Sequence, residues 1–205
     1  MQAKICGLTT EDQVKIAIEN RAGYCGFILN YPKSHRHIQY NVAKKLTNIK
    51  KGNTKFVGVF VKPSFKEIEK YSKLNFDYFQ IYGNYTKDEI IQIKSNSKKK
   101  IIIALQIEKE LDVQKYKLYE KIADIVLFDS VGLHKSMSWN YEWLKDIPPT
   151  IIKMVAGNIS IDKLENLKKI ADIVDVSGAL ETNKVKDTLK IKKFLKEVNR
   201  INDNY

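Results

Sequence analysis

The six residues Lys121-Ile122-Ala123-Asp124-Ile125-Val126 occur a second time, 48 positions later, as Lys169-Ile170-Ala171-Asp172-Ile173-Val174. Each copy joins a helix-like stretch to a short apolar run rich in β-branched residues, as expected where a helix leads into a strand. Weaker copies of this junction lie at Ala22-Gly23-Tyr24-Cys25 and Phe76-Asp77-Tyr78-Phe79. A repeat of about 50 residues that spans two strand–helix units predicts a barrel with fourfold internal repetition.

Short apolar runs occur along the whole chain, and one of the four junctions leads into every second run. They are continuous rather than alternating, which is typical of strands buried on both faces of a parallel sheet. Eight strands are predicted: Lys4–Cys6, Tyr24–Leu29, Lys55–Phe60, Tyr78–Ile81, Ile101–Gln106, Ile125–Phe128, Ile151–Val155 and Ile173–Val176.

The segments between these strands carry helix signals. Three of them begin with a capping box, in which a Ser or Thr is followed three positions later by Glu or Gln: Thr10–Gln13, Ser64–Glu67 and Thr86–Glu89. Two later segments place apolar residues on one helix face: Ile161, Leu164, Leu167 and Ala171, and then Ile191, Phe194, Leu195 and Val198.

Alternating strands and helices predict an α/β fold with a parallel sheet. Eight units in 205 residues leave about 26 residues for each, which suits a compact (βα)8 TIM barrel. A doubly wound open sheet is the alternative, but no glycine-rich dinucleotide fingerprint follows the first strand. Because no linker rich in Pro, Gly or Ser interrupts the chain, we expect a single barrel domain over residues 1–205.

Composition excludes several classes of protein. Two cysteines are too few for a disulfide framework or a cysteine-based zinc site. The longest apolar runs, such as Ile101–Leu105, are far shorter than a membrane helix, and the N-terminus has no apolar signal core. The net charge is +12, but it comes from 33 lysines and only 3 arginines, whereas nucleic-acid readers rely on arginine. We therefore expect a cytoplasmic protein with a solvated lysine coat that binds neither nucleic acid nor membrane.

The active site of such a barrel lies at the carboxyl ends of its strands. Cys6 ends the first strand and Asp129 follows the sixth. A thiolate can act as a base and a carboxylic acid as a proton donor when their pKa values approach the working pH. Cys6 could instead be a small core residue, and Asp129 a helix cap. Cys25, in mid-strand, is better explained as core.

The loops after the seventh and eighth strands are the usual phosphate site of these barrels. Gly157 with Asn158, and Ser177 with Gly178, are small or tolerant of left-handed backbone, so their N–H groups can point at an anion. The alternative is that they only form short turns. The three histidines, His35, His37 and His134, lack metal-ligand spacing with acids or thiols, so no metal site is predicted.

The sequence resembles the phosphoribosylanthranilate isomerases of tryptophan biosynthesis, with matching segments in the same order over essentially the whole chain. The resemblance lies in these segments: Lys4–Thr9, Gly26–Leu29, Pro32–Arg36, Phe79–Gly83, Leu127–Asp129, Lys135–Trp139, Ala156-Gly157 and Val174–Ser177, with Glu181 and Asp187.

The resemblance implies a barrel that performs an Amadori rearrangement of a phosphosugar, N-(5-phosphoribosyl)anthranilate, without cofactor or metal. Asp129 would be the general acid and Cys6 the general base. Arg36 would hold the anthranilate carboxylate, Asp175 would contact a sugar hydroxyl, and Gln80 would also bind substrate. The resemblance assigns the phosphate to four residues: Gly157, Asn158, Ser177 and Gly178.

Four departures from the family pattern accompany the resemblance. Tyr82 stands where the family usually has His, and the glycine-rich loop after the acid is reduced to Gly132-Leu133-His134. Asn158 replaces the second glycine after strand seven, and the loop after strand eight reads Ser177-Gly178-Ala179. We expect phosphate binding to survive these changes.

Two alternative functions remain open. One is another phosphosugar barrel, such as an epimerase or a bifunctional isomerase of histidine biosynthesis. Such epimerases need metal-binding His and Asp at strand ends, which we do not find in this sequence. The bifunctional isomerases use paired aspartates, and Cys6 stands in place of the first of them. The other is a basic barrel remnant that binds nucleic acid or a partner protein, for which tight, salt-sensitive binding would be expected. We expect a monomer.

Overall fold

The computed structural model describes residues 1–132 and 137–203. Eight parallel strands form a closed barrel in sequence order, and β8 pairs with β1 to close it. The predicted TIM barrel is therefore confirmed. The barrel strands are β1 Gln2–Cys6, β2 Tyr24–Ile28, β3 Lys55–Val61, β4 Tyr78–Tyr82, β5 Lys100–Ile107, β6 Ile125–Ser130, β7 Lys153–Val155 and β8 Ile173–Val176.

The helices pack around this barrel. They are α1 Glu11–Glu19, α2 Tyr40–Thr47, α3 Phe65–Ser72, α4 Lys87–Ser97, α5 Glu110–Val113, α6 Leu164–Leu167 and α7 Thr188–Asp203. The three predicted capping boxes are all formed, at Thr10, Ser64 and Thr86. The predicted apolar face of α7 is buried, as shown by Ile191, Phe194, Leu195 and Val198.

The structure differs from the sequence-based predictions in the last third of the chain. The segment from Ile161 to Ala171 is not one amphipathic helix, because a 3-10 turn at Ile161–Lys163 leads into α6, which ends at Leu167. Strand β7 starts at Lys153, two residues later than predicted. A small antiparallel hairpin, β9 Glu181–Thr182 and β10 Val185–Lys186, was not anticipated. Further 3-10 turns lie at Gln114–Leu118, Tyr141–Leu144 and Gly178–Leu180.

The repeated junction has a structural purpose at the amino ends of the strands. The Asp124 carboxylate accepts a hydrogen bond from the Ile101 N–H at 2.8 Å, and Asp172 accepts one from the Lys153 N–H at 2.8 Å. In the weaker copy, Asp77 accepts from the Phe56 N–H at 2.7 Å. In each case the aspartate before an even-numbered strand fixes the start of the preceding strand, with a charge-assisted bond. The repeated aspartate is therefore explained by its structural role in the barrel.

The core has two layers. The larger one lies between the sheet and the helices, and the smaller one fills the barrel. Alternation along β1 places Ala3 and Ile5 in the outer layer and Cys6 in the inner one. In the described part of the chain, no helix is long and apolar enough to span a membrane.

Candidate active site

A cavity of about 480 Å³ opens at the carboxyl ends of the strands. Eight of the predicted site residues line it: Cys6, Arg36, Asp129, Gly157, Asn158, Asp175, Ser177 and Gly178. Gln80 does not line it and is fully buried beneath it. The cavity therefore collects side chains that are up to about 170 positions apart in the chain, as a barrel mouth does.

Asp129 is the penultimate residue of β6 and is hydrogen-bonded by Tyr82 at the end of β4. The Tyr82 hydroxyl donates to Asp129 Oδ2 at 2.9 Å, and Gln80 Nε2 donates to the Tyr82 hydroxyl at 3.2 Å. Burial raises the pKa of Asp129 to about 6, although the Tyr82 hydrogen bond lowers it. Tyr82, which stands where the resemblance led us to expect His, thus donates a hydrogen bond to the predicted acid. The contact of Gln80 is with Tyr82, one layer below the cavity.

Cys6 ends β1 and faces the same cavity. Burial raises the pKa of its thiol above 9.0, and the nearby Lys4 ammonium is the main group that lowers it. Cys25 is also free, but it is fully buried in β2 and belongs to the outer core. Burial raises the Cys25 pKa to about 12. The two thiols therefore differ in place and environment.

Arg36 reaches the cavity from the loop after β2 and is held in position by Glu181. Arg36 Nε donates to Glu181 Oε1 at 2.5 Å and Nη2 donates to Oε2 at 3.0 Å. A guanidinium has five N–H donors, so this bidentate contact leaves three for another anion. The Arg36 side chain passes over Gly7, where a Cβ would lie 2.4 Å from Arg36 Cδ, which explains the need for glycine there.

Glu181 and Lys186 complete this charged group, and no sequence pattern had indicated a role for either residue. Lys186 Nζ, whose side chain is 1% exposed, lies 2.5 Å from Glu181 Oε1. Burial opposes the charge on Glu181, but Arg36 and Lys186 outweigh it and lower its pKa to about 2. Lys186 also donates to the Ser177 carbonyl at 3.3 Å. Lys186 therefore links the Arg36–Glu181 pair to the loop after β8.

The loop after β7 has two of its carbonyls hydrogen-bonded to side chains of the segment between β6 and β7. Trp139 Nε1 donates to the Ala156 carbonyl at 2.9 Å, and the Tyr141 hydroxyl donates to the Gly157 carbonyl. Since C=O and N–H point in opposite directions across a trans peptide, the N–H groups of Gly157 and Asn158 face the other way. Both residues have left-handed backbone, with φ of 104° and 51°, so the expected tolerance of Asn158 for this conformation is confirmed.

One prediction, the reduced loop after the predicted acid, concerns residues that are mostly outside the described part of the chain. The reduced loop includes His134, which lies outside the described residues, as do Leu133, Lys135 and Ser136. Within residues 1–132 and 137–203, no group of three or more His, Cys, Asp or Glu side chains could hold a metal ion.

A closed (βα)8 barrel with ionisable groups from several strands around a cavity at their carboxyl ends has the architecture of a barrel enzyme. The family model for N-(5'-phosphoribosyl)anthranilate (PRA) isomerase matches residues 3–197. The chain belongs to this family of isomerases.

Relatives agree with this assignment over nearly their whole length. The N-(5'-phosphoribosyl)anthranilate isomerase of Clostridium acetobutylicum is 30% identical over 211 residues, covering 98% of each chain. That of Streptococcus mutans is 32% identical over 204 residues, covering 97% of this chain and 99% of its own. The fold matches a crystal structure of phosphoribosyl anthranilate isomerase in complex with reduced 1-(o-carboxyphenylamino)-1-deoxyribulose 5-phosphate, with a TM-score of 0.85, 22% identity and coverage of 98% and 99%.

Proposed function

We propose that this chain converts N-(5-phosphoribosyl)anthranilate to 1-(2-carboxyphenylamino)-1-deoxyribulose 5-phosphate in tryptophan biosynthesis, as one barrel domain over residues 1–205. The observation that carries the proposal is the meeting of Cys6, Asp129 and Arg36 with the two loops in one cavity. The family match supports the reaction, and the similar structure was solved with a reduced form of the product. The monomer and the cytoplasmic location stay predictions.

The reaction needs one acid and one base on a single bound sugar. Asp129 donates a proton to the ribose ring oxygen, and the ring C–O bond breaks to leave a Schiff base at the anomeric carbon. Cys6 then removes the proton from the adjacent carbon, and that electron pair neutralises the iminium to give an enolamine. The enolamine tautomerises to the ketone. Each transfer by a positioned group contributes about 10²–10⁴-fold in rate.

The remaining predicted residues bind the two ends of the substrate. The free donors of Arg36 hold the anthranilate carboxylate while Glu181 keeps the guanidinium in place. The backbone N–H groups of the loops that contain Gly157 and Gly178 bind the phosphate, and Asp175 binds a sugar hydroxyl. Gln80 acts through Tyr82, because that is the contact that its amide makes.

The resting protonation states are the reverse of those that the reaction needs. At neutral pH the Asp129 carboxyl, whose pKa is about 6, is mostly ionised, and the Cys6 thiol, whose pKa is raised by burial, is mostly neutral. The reactive form, with a protonated Asp129 and a Cys6 thiolate, is therefore a minor one. Its fraction rises until Asp129 has titrated, stays level, and falls once Cys6 has titrated. We expect a bell-shaped pH dependence of kcat/KM whose acidic limb belongs to Asp129.

Tyr82→Phe tests this assignment. Removing the hydroxyl takes away a hydrogen bond that stabilises the carboxylate, so the pKa of Asp129 rises above about 6. A hydrogen bond to a charged group contributes about 1.5–3 kcal/mol, which corresponds to roughly one to two pH units. The acidic limb of the kcat/KM profile should move to higher pH by about one unit. Tyr78→Phe, on the same strand and below the cavity, is the matched control. An acidic limb that stays in place in Tyr82→Phe contradicts the assignment.

The function itself is tested by rescue and by direct assay. Expression of the chain should restore growth without tryptophan to a strain that lacks phosphoribosylanthranilate isomerase. The purified protein should consume N-(5-phosphoribosyl)anthranilate, which is followed by the loss of its fluorescence. Folded, well-expressed protein that neither rescues growth nor turns over this substrate would rule the proposal out.

A further inference from the structure

A buried lysine lies under the active-site cavity, and the proposed reaction does not use it. Lys4, in the middle of β1, is 0% exposed, and its Nζ lies 2.7 Å from Asp175 Oδ2. The two residues are also direct partners in the β1–β8 pairing. A lysine is almost never fully buried unless its charge is paired. Because an apolar side chain could fill the same volume without the free-energy cost of desolvating a charge, packing alone does not explain a lysine at this position.

The Lys4 ammonium lies beside the Cys6 thiol because β2 has no side chain at Gly26. A Cβ built at Gly26 would lie 3.0 Å from Cys6 Sγ and 3.1 Å from Lys4 Cε. Sγ and Cε are therefore no more than about 6 Å apart, within the range at which a charge alters the ionisation of its neighbour. Residues 4 and 6 share the inner face of β1, so the strand directs both groups to the same space.

We propose that Lys4 is a positioning residue for the thiol: its ammonium stabilises the Cys6 thiolate, and Asp175 holds that ammonium in place while competing for its charge. The proposal rests on the proposed function of Cys6 as a base. It predicts that substitutions of the two partners shift the pKa of the Cys6 thiol in opposite directions. Loss of Lys4 removes the positive charge that stabilises the thiolate, whereas loss of the Asp175 charge frees the Lys4 ammonium to interact more strongly with the thiolate.

The other charges around Cys6 are consistent with this role. Burial raises the pKa of the thiol, Lys4 is the first of the groups that lower it, Asp175 raises it, and Lys186 from the hairpin lowers it. Tyr82, on β4, also interacts electrostatically with the thiol, and its hydroxyl donates to Asp129. Burial opposes the charge of Lys4, but Asp175 and Cys6 outweigh burial and raise the Lys4 pKa above 10.5. Lys4 is therefore charged at neutral pH.

The test measures thiol reactivity in the unliganded full-length protein and needs no turnover. Alkylation of Cys6 by iodoacetamide is followed as a function of pH, with mass spectrometry to separate Cys6 from Cys25. Lys4→Met should raise the midpoint of the alkylation profile by at least about one pH unit, with an approximately tenfold lower rate at pH 8. Asp175→Asn should lower the midpoint. Lys55→Met, at the exposed start of β3, should leave it unchanged.

A midpoint in Lys4→Met that is unchanged or lower would overturn the proposal, and so would an Asp175→Asn midpoint that does not fall. If Lys4→Met leaves Asp175 uncompensated and does not fold, the double variant Lys4→Met with Asp175→Asn removes both charges and should show the raised midpoint. Thermal unfolding followed by circular dichroism reports the fold of each variant. If the midpoints shift as expected but growth rescue fails, the proposed reaction is wrong while the coupling of Lys4 to Cys6 stands.

Discussion

Cys6→Ala is expected to lower kcat by about 10²–10⁴-fold, because the methyl group cannot accept the proton from the sugar carbon. Asp129→Asn should cause a loss of the same order, because the amide still accepts the Tyr82 hydrogen bond but cannot protonate the ring oxygen. The measurement is steady-state turnover of N-(5-phosphoribosyl)anthranilate, with circular dichroism to show that each variant is folded.

The second cysteine is the matched control for this prediction. Cys25 lies in the neighbouring strand, fully buried and outside the cavity lining. Cys25→Ala should therefore keep most of the activity while losing some stability from the small cavity that it leaves. Wild-type turnover in either Cys6→Ala or Asp129→Asn would contradict the proposed mechanism.

Glu181→Gln is expected to destabilise the protein by about 3 kcal/mol, because it leaves the Lys186 ammonium and the Arg36 guanidinium without their shared counter-charge in a mostly buried place. For a chain of this length that corresponds to a fall in Tm of roughly 6–12 °C. The KM for substrate should also rise, since Arg36 loses the bidentate contact that orients it. Differential scanning calorimetry and steady-state kinetics measure the two effects.

The stability difference between wild type and Glu181→Gln should depend on pH. The folded-state pKa of Glu181 is about 2, against an ordinary value of 4.5. A depressed carboxyl pKa stabilises the fold above the ordinary value and loses that contribution as the pH falls toward the folded value. The difference should therefore be full at pH 6 and shrink between pH 4.5 and pH 2. Glu11→Gln, which breaks the exposed pairs of Glu11 with Lys15 and Lys45, should lower the stability far less than Glu181→Gln does. A pH-independent difference for Glu181→Gln would contradict this reasoning.

The barrel could be predicted from sequence because its evidence is local. Three capping boxes, eight apolar runs and the repeated junction each depend on neighbouring residues, and the structure contains all of them. The prediction was weaker around β7 and α6, where the helical pattern from Ile161 to Ala171 gave only a 3-10 turn and one helical turn. Apolar periodicity in that segment shows which residues are buried, but burial against the barrel can be achieved without a full helix.

The sequence by itself determined which residues stand at the carboxyl ends of the strands, and so placed Cys6, Asp129, Asp175 and the two loops at one mouth. Only the tertiary structure decided which of these groups touch. Lys4 meets Asp175, 171 positions away, and Arg36 meets Glu181, 145 positions away. The reason is that parallel strands follow a local pattern, whereas the pairing of β8 with β1 and the path of each loop depend on closure of the whole barrel. That closure buries Lys4 beside a thiol and sets the charges on which the proposed chemistry depends.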